Sequence, residues 1–121
     1  MRRIAIIPAR SGSKRIKNKN IKNFFGKPVI YYPITACQKS NIFDKIFVST
    51  ESKKIRLIAK RYNVSVPFLR PKKLSSDKAS TIDVIKNFTK KMKISKDNNI
   101  CCVYPVTPLF KATMLKKFYN I

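Results

Sequence analysis

The amino-acid sequence predicts an α/β fold: an open, mainly parallel sheet with helices on both faces. Three observations carry this. Short, fully apolar runs rich in β-branched residues recur, amphipathic stretches of helical period lie between them, and the two kinds alternate along all 121 residues. Fully apolar runs of that length belong to strands buried on both sides. A strand that feeds a helix and returns as a parallel strand crosses over right-handedly, leaving helices on the faces of the sheet.

The elements follow in order. Ile4-Ala5-Ile6-Ile7 reads as the first buried strand. A helix is expected from Pro28 to Ser40, with Pro28 near its start, where the first helical N–H groups lack partners anyway. Pro33 then needs a first-turn position or a kink, because an interior proline costs about 3 kcal/mol. Ile46-Phe47-Val48 is the second strand. Ser52 opens a helix whose apolar face is Ile55, Ile58, Ala59 and Tyr62, at i, i+3, i+4 and i+7. Val64-Ser65-Val66-Pro67-Phe68 alternates, and Pro67 suits it to a sheet edge. Thr81 caps a helix with Val84, Ile85, Phe88 and Met92 inward, and Ile100 to Tyr104 forms the next strand. Leu115, Phe118 and Tyr119 mark a last helix that runs out at Asn120-Ile121 without a capping signal, as if the chain stopped part-way through a larger architecture. No repeat, low-complexity tract or linker divides the chain, so residues 1–121 form one domain.

Composition removes several chemistries. There are 28 Lys+Arg, 5 Asp+Glu and no His, a formal charge of +23. Without His there is no His general base, no Ser-His-Asp triad and no His-ligated metal. Cys37, Cys101 and Cys102 have neither disulfide-framework nor zinc-knuckle spacing and read as small apolar core residues in a reducing cytoplasm. The run Ile4–Ile7 is too short for a secretory or membrane segment, so a cytoplasmic protein is expected. Lys and Arg are scattered over almost every predicted element. Charge alone supports an anionic partner and a solvated lysine-rich surface equally.

The segment after the first strand is the most informative. It runs Pro8-Ala9-Arg10-Ser11-Gly12-Ser13-Lys14-Arg15-Ile16-Lys17-Asn18-Lys19-Asn20. In an open parallel sheet, ligands bind beyond the carboxyl ends of the strands, where this loop is expected. Gly12 supplies backbone freedom, Ser11 and Ser13 supply hydroxyls, and five cations fall within ten positions. Such a loop can cradle phosphate oxygens and neutralise them. It matches neither the P-loop nor the dinucleotide-binding glycine pattern.

IIPARSGSKRIKNKNI resembles the amino-terminal signature of the acylneuraminate cytidylyltransferases, which make CMP-activated nonulosonic acids. Three later segments fall in that family's order: Phe47-Val48-Ser49-Thr50-Glu51, then Phe68-Leu69-Arg70-Pro71 with Leu74, Asp77 and Thr81, then Tyr104-Pro105-Val106-Thr107-Pro108-Leu109. Within the family, PFLRP, TIDVIK and the Cys-Cys-Val-Tyr-Pro strand end look most like the pseudaminic acid branch. Many sialic-acid-activating relatives carry Gln where Tyr104 stands. Activation of deoxyoctulosonate shares IIPAR-like starts but usually differs after the Ser-Lys.

The resemblance implies a Rossmann-like sheet of the nucleotide-diphospho-sugar transferase type, truncated here to its nucleotide-binding part. It implies transfer of CMP from CTP to a nonulosonic acid, with release of pyrophosphate. Arg10, Ser11, Gly12, Ser13 and Lys14 then match the loop that holds the triphosphate. Lys19 contacts the α-phosphate and Asn20 completes the Lys-Asn pair, so catalysis falls to Lys19, Arg10 and Lys14. Arg70 and Thr81 line the nucleotide pocket, with Asp77 as support or a turn residue. Tyr104 approaches the sugar or packs as an aromatic. Arg15 stands where relatives often have Gly.

The acidic residues that hold Mg²⁺ in the family lie beyond the end of this chain, so magnesium would be held mainly from outside it. Full-length relatives are expected to form homodimers. Two alternatives remain: a nucleotide-binding fragment with little or no turnover, and a basic nucleic-acid-binding protein. The latter lacks a recognisable helix-turn-helix, zinc or RRM pattern.

Overall fold

The apolar run at the amino terminus forms β1 (Arg3–Pro8), and Ile4 to Ile7 are all buried within it. The computed structural model describes residues 2–11, 21–75 and 79–104. Among these, β1 is the central strand of a three-stranded parallel sheet. It lies between β4 (Lys45–Ser49) and β5 (Asn99–Cys102), in the order β4-β1-β5. Ile6 sits opposite Phe47 on one side and Cys102 on the other.

The period of two along β1 separates two cores. Ala5 and Ile7 face α1 (Tyr31–Ser40) and α2 (Lys53–Arg61), packing with Ile34, Cys37, Ile55 and Ala59. Ile4 and Ile6 face the other way onto α3 (Thr81–Met92), where Phe88 is 1% exposed between Phe47 and Phe68. Each buried Ile of β1 is worth roughly 1.5–3 kcal/mol relative to exposure. Helices thus cover both faces, as the alternation of elements required.

Local chemistry explains where the helices start. Ser52 caps α2 by accepting the Ile55 N–H at 3.2 Å, as expected. For α3 the cap is Ser80, one residue before the expected Thr81. Ser80 Oγ accepts the Asp83 N–H and Asp83 reaches back to the Ser80 N–H, a reciprocal capping box. The α1 helix begins at Tyr31 rather than Pro28. Pro33 therefore falls in its first turn, where its missing N–H costs nothing.

Pro28 belongs instead to a hairpin that the sequence reading missed. It joins β2 (Asn23–Phe24) to β3 (Lys27–Pro28) through Phe25 and Gly26, both at positive φ (52° and 86°). Two-residue hairpin turns need that backbone, which Gly26 adopts freely. The Gly26 N–H donates to Asn23 Oδ1 at 2.8 Å, and the Tyr32 hydroxyl donates to the Phe24 carbonyl, tying the hairpin to α1.

The alternating run Val64–Phe68 is not a regular strand. Ser65 within it meets Phe47 of β4 through an isolated parallel bridge, and Leu69 just past it bridges Thr50 just past β4. Pro67 has no N–H to continue the ladder. Cys37 is a core residue, but Cys101 and Cys102 are only half-buried, and all three are free thiols. The expected last helix, with Leu115, Phe118 and Tyr119, lies outside the described residues.

Candidate functional site

Consecutive parallel strands are added on opposite sides of β1, since β4 follows it on one edge and β5 on the other. A crevice opens at such a point, where connections leave the carboxyl ends of adjacent strands in opposite directions. Arg10 and Ser11 leave β1 there, Thr50 and Glu51 leave β4 there, and Tyr104 follows β5.

A polar layer joins the ends of β1 and β4. The Ser49 carbonyl accepts the Ala9 N–H at 2.9 Å, and the Arg70 N–H donates to the Thr50 carbonyl at 2.7 Å. The Arg70 side chain is only 4% exposed. Its Nη1 donates to the carbonyl and to Oγ of Ser49, both at 3.2 Å, and its Nε donates to Ser75 Oγ at 3.1 Å. Burial holds the guanidinium below its ordinary pKa. The Glu51 carboxylate pulls the other way, and Arg10 adds a like-charge push downward. The group keeps its charge at neutral pH all the same. Arg70 is thus a fastener between strand β4 and the turn at Pro71–Ser75, with Nε and Nη1 committed to the protein.

Glu51 organises the other side of the layer. Its Oε1 accepts the Ser11 N–H at 3.1 Å and its Oε2 accepts the Ser11 hydroxyl at 3.2 Å. Thr50 Oγ1 also lies 3.3 Å from Glu51 Oε1. Two cations, Arg10 and Arg70, and one carboxylate, Glu51, therefore interact beyond the ends of β1 and β4. On the α3 side, the Thr81 and Tyr104 hydroxyls hydrogen-bond one another, linking the start of α3 to the end of β5.

The structure therefore brings Arg10, Ser11 and Arg70 into one polar cluster and pairs Thr81 with Tyr104. Gly12, Ser13, Lys14, Lys19 and Asn20 lie outside the described residues, as do Arg15 and Asp77. Ser49, Glu51 and Ser75 carry no role in the sequence reading. Glu51 had one available signal, being the sole acidic residue between Asp44 and Asp77 and standing just past an apolar run. Among the described residues no three of His, Cys, Asp or Glu come together. Among them, too, no helix is long and apolar enough to cross a membrane.

An α/β sheet with cations and hydroxyls gathered at its switch point has the chemistry to receive an anionic ligand. The cytidylyltransferase family model matches residues 4–120. A pseudaminic acid cytidylyltransferase of Campylobacter jejuni is 40% identical over 122 residues, covering 99% of this chain and 53% of the relative. An N-acylneuraminate cytidylyltransferase of Escherichia coli is 45% identical over 84 residues, covering 69% of this chain and 20% of that protein. A CMP:2-keto-3-deoxy-manno-octonic acid synthetase solved with CTP has the same fold, with a TM-score of 0.81 at 16% identity, over 99% of this chain and 46% of that one. The chain belongs to the cytidylyltransferase family, and it spans about half the length of the Campylobacter relative.

Proposed function

We propose that the chain is the nucleotide-binding part of a cytoplasmic cytidylyltransferase that transfers CMP from CTP to a nonulosonic acid, pseudaminic acid in particular. The observation that carries this reading is the match of the cytidylyltransferase model along residues 4–120, on a fold that brings Arg10, Ser11 and Arg70 together at its switch point. An N-acylneuraminate cytidylyltransferase of Streptococcus agalactiae matches 97% of the chain at 41% identity, as the pseudaminic relative matches 99% at 40%. The preference for pseudaminic acid therefore rests on the PFLRP, TIDVIK and Cys-Cys-Val-Tyr-Pro segments.

In the proposed reaction the anomeric hydroxyl of a nine-carbon 2-keto acid sugar attacks the α-phosphorus of CTP in line. The new O–P bond forms as the bond to the β-phosphate breaks, the hydroxyl proton is lost, and pyrophosphate leaves. Catalysis of this kind rests on positioning and on neutralising charge at the phosphates. Arg10 and Lys14, with the donors of Gly12 and Ser13, take the β- and γ-phosphates, Ser11 anchors the same loop through Glu51, and Lys19 takes the α-phosphate beside Asn20. Nη2 of Arg70 turns to the nucleotide while Nε and Nη1 stay on Ser75 and Ser49. Thr81 lines the nucleotide pocket, and Tyr104 presents its ring to the sugar.

Binding of the nucleotide without turnover by residues 1–121 is the second reading. Calorimetric titration of CTP, ATP and GTP, with and without magnesium, separates these readings. Pyrophosphate release is then followed after adding pseudaminic or N-acetylneuraminic acid. CTP-selective binding with release supports the transferase. CTP-selective binding alone supports the second reading, and no nucleotide selectivity at moderate salt refutes both.

A further inference from the structure

We propose that Glu51 is a positioning residue that fixes the backbone of Ser11 where it leaves β1, so that Arg10 beside it meets a nucleotide already in place. The inference rests on the nucleotide-binding reading above and says what the anchor at Ser11 does for binding.

The geometry is that of a strap. Both carboxylate oxygens of Glu51 are engaged by Ser11, one by its N–H at 3.1 Å and one by its hydroxyl at 3.2 Å, across a separation of 40 residues. The carboxylate is in turn held from its own side. Thr50 Oγ1 donates to Glu51 Oε1 at 3.3 Å, the Ser52 N–H donates to Thr50 Oγ1 at 3.1 Å, and the Ile55 N–H donates to Ser52 Oγ at 3.2 Å. A continuous run of hydrogen bonds thus leads from the capped first turn of α2 to the end of β1. Only an acceptor with two oxygens receives both Ser11 donors at once while also accepting from Thr50. Ordering a backbone residue at the moment of binding weakens affinity, and a residue ordered beforehand avoids that loss. Glu51 also counters the like charges of Arg10 and Arg70, so the two cations can stand near one another in the free protein.

Two variants and two readouts test this on the full chain. Glu51→Gln keeps one acceptor oxygen and loses the charge, while Glu51→Ala loses both. CTP affinity is expected to fall about threefold in Glu51→Gln and about tenfold in Glu51→Ala, a graded loss that corresponds to one and then two hydrogen bonds. The melting temperature of Glu51→Gln should stay close to that of the parent, so that its weaker binding is not a folding defect. In the nucleotide-free protein, hydrogen exchange at the Ser11 amide should speed up in the same order. Unchanged or tighter CTP binding by either variant overturns the inference, since tighter binding would mean that the carboxylate competes with phosphate for Ser11. If the parent chain binds no CTP, it is the nucleotide-binding reading that fails. Exchange at Ser11 then decides separately whether the strap exists, and exchange equal in parent and variants removes it.

Discussion

Arg70→Lys tests the reading of Arg70 as a fastener. The substitution keeps the positive charge but replaces a fork of nitrogens with one. Arg70 now reaches Ser49 through Nη1 at 3.2 Å and Ser75 through Nε at 3.1 Å. A single ammonium keeps one of these partners and releases the other. The released bond is one to a charged group inside a residue that is 4% exposed, worth about 1.5–3 kcal/mol. The Ser49 carbonyl still accepts from Ala9 and Ser75 Oγ still bonds the Pro71 carbonyl, which keeps the loss near the lower half of that range. We expect about 2 kcal/mol. With a urea slope of about 1.5 kcal/mol/M for a small domain, the unfolding midpoint drops by roughly 1.3 M. Adding Ser75→Ala supplies the decisive comparison: if the substituted lysine abandons Ser75, the serine's removal costs clearly less in the Arg70→Lys background than in the parent. A midpoint within about 0.3 M of the parent, or full additivity of the two substitutions, would show that Arg70 does not fasten these segments.

The other predictions address the core, the thiols and the charge. Phe88→Ala should cost about 3–5 kcal/mol, because the ring is 1% exposed between Phe47 and Phe68, whereas Phe25→Ala, at a position 85% exposed, should stay within about 0.5 kcal/mol. Urea unfolding of both distinguishes them, and equal losses would contradict the two-core description. Burial, aided by Cys101, pushes the Cys37 thiol up to about 12, against about 8.5 in an unfolded chain. The raised folded value means that this stability is complete below pH about 8.5. It then declines, by up to about 1.4 kcal/mol per pH unit, until the folded thiol itself ionises. Stability measured from pH 8 to about 10 should fall more steeply in the parent than in Cys37→Ala, and parallel curves would refute the assignment. Finally, a charge of +23 opposes compaction, so the melting temperature should rise as salt shortens the screening length from about 30 Å at 0.01 M to about 8 Å at 0.15 M. A flat or falling dependence would mean that attractive pairs outweigh the repulsion.

Particular residues show how far the sequence could be read. The Ile4–Ile7 run, the Ser52 cap and the apolar face Val84, Ile85, Phe88 and Met92 report local periodicity, and each was legible for that reason. The hairpin at Asn23–Pro28 was not, because strands of two residues leave no alternation to detect. Ser80 and Thr81 are both competent caps, and only the reciprocal bond with Asp83 separates them. Val64–Phe68 had the right alternation, but Pro67 and its place outside β4 limited it to an isolated bridge. Of the residues expected at the nucleotide site, Arg10, Ser11 and Arg70 meet in one cluster.

By itself the sequence determined the α/β class, the two faces of β1 and the family signature that begins at Ile4-Ala5-Ile6-Ile7-Pro8. These depend on neighbours in the chain, whose spacing sets which side chains share a face. Tertiary structure alone decided that Glu51 meets Ser11 across 40 residues and that Arg70 meets Ser49 across 21. It also decided that β1 lies between β4 and β5. Periodicity says that a strand is buried without saying beside which other strand, and the pairing that sets the order of the sheet also sets which polar residues meet at its carboxyl end.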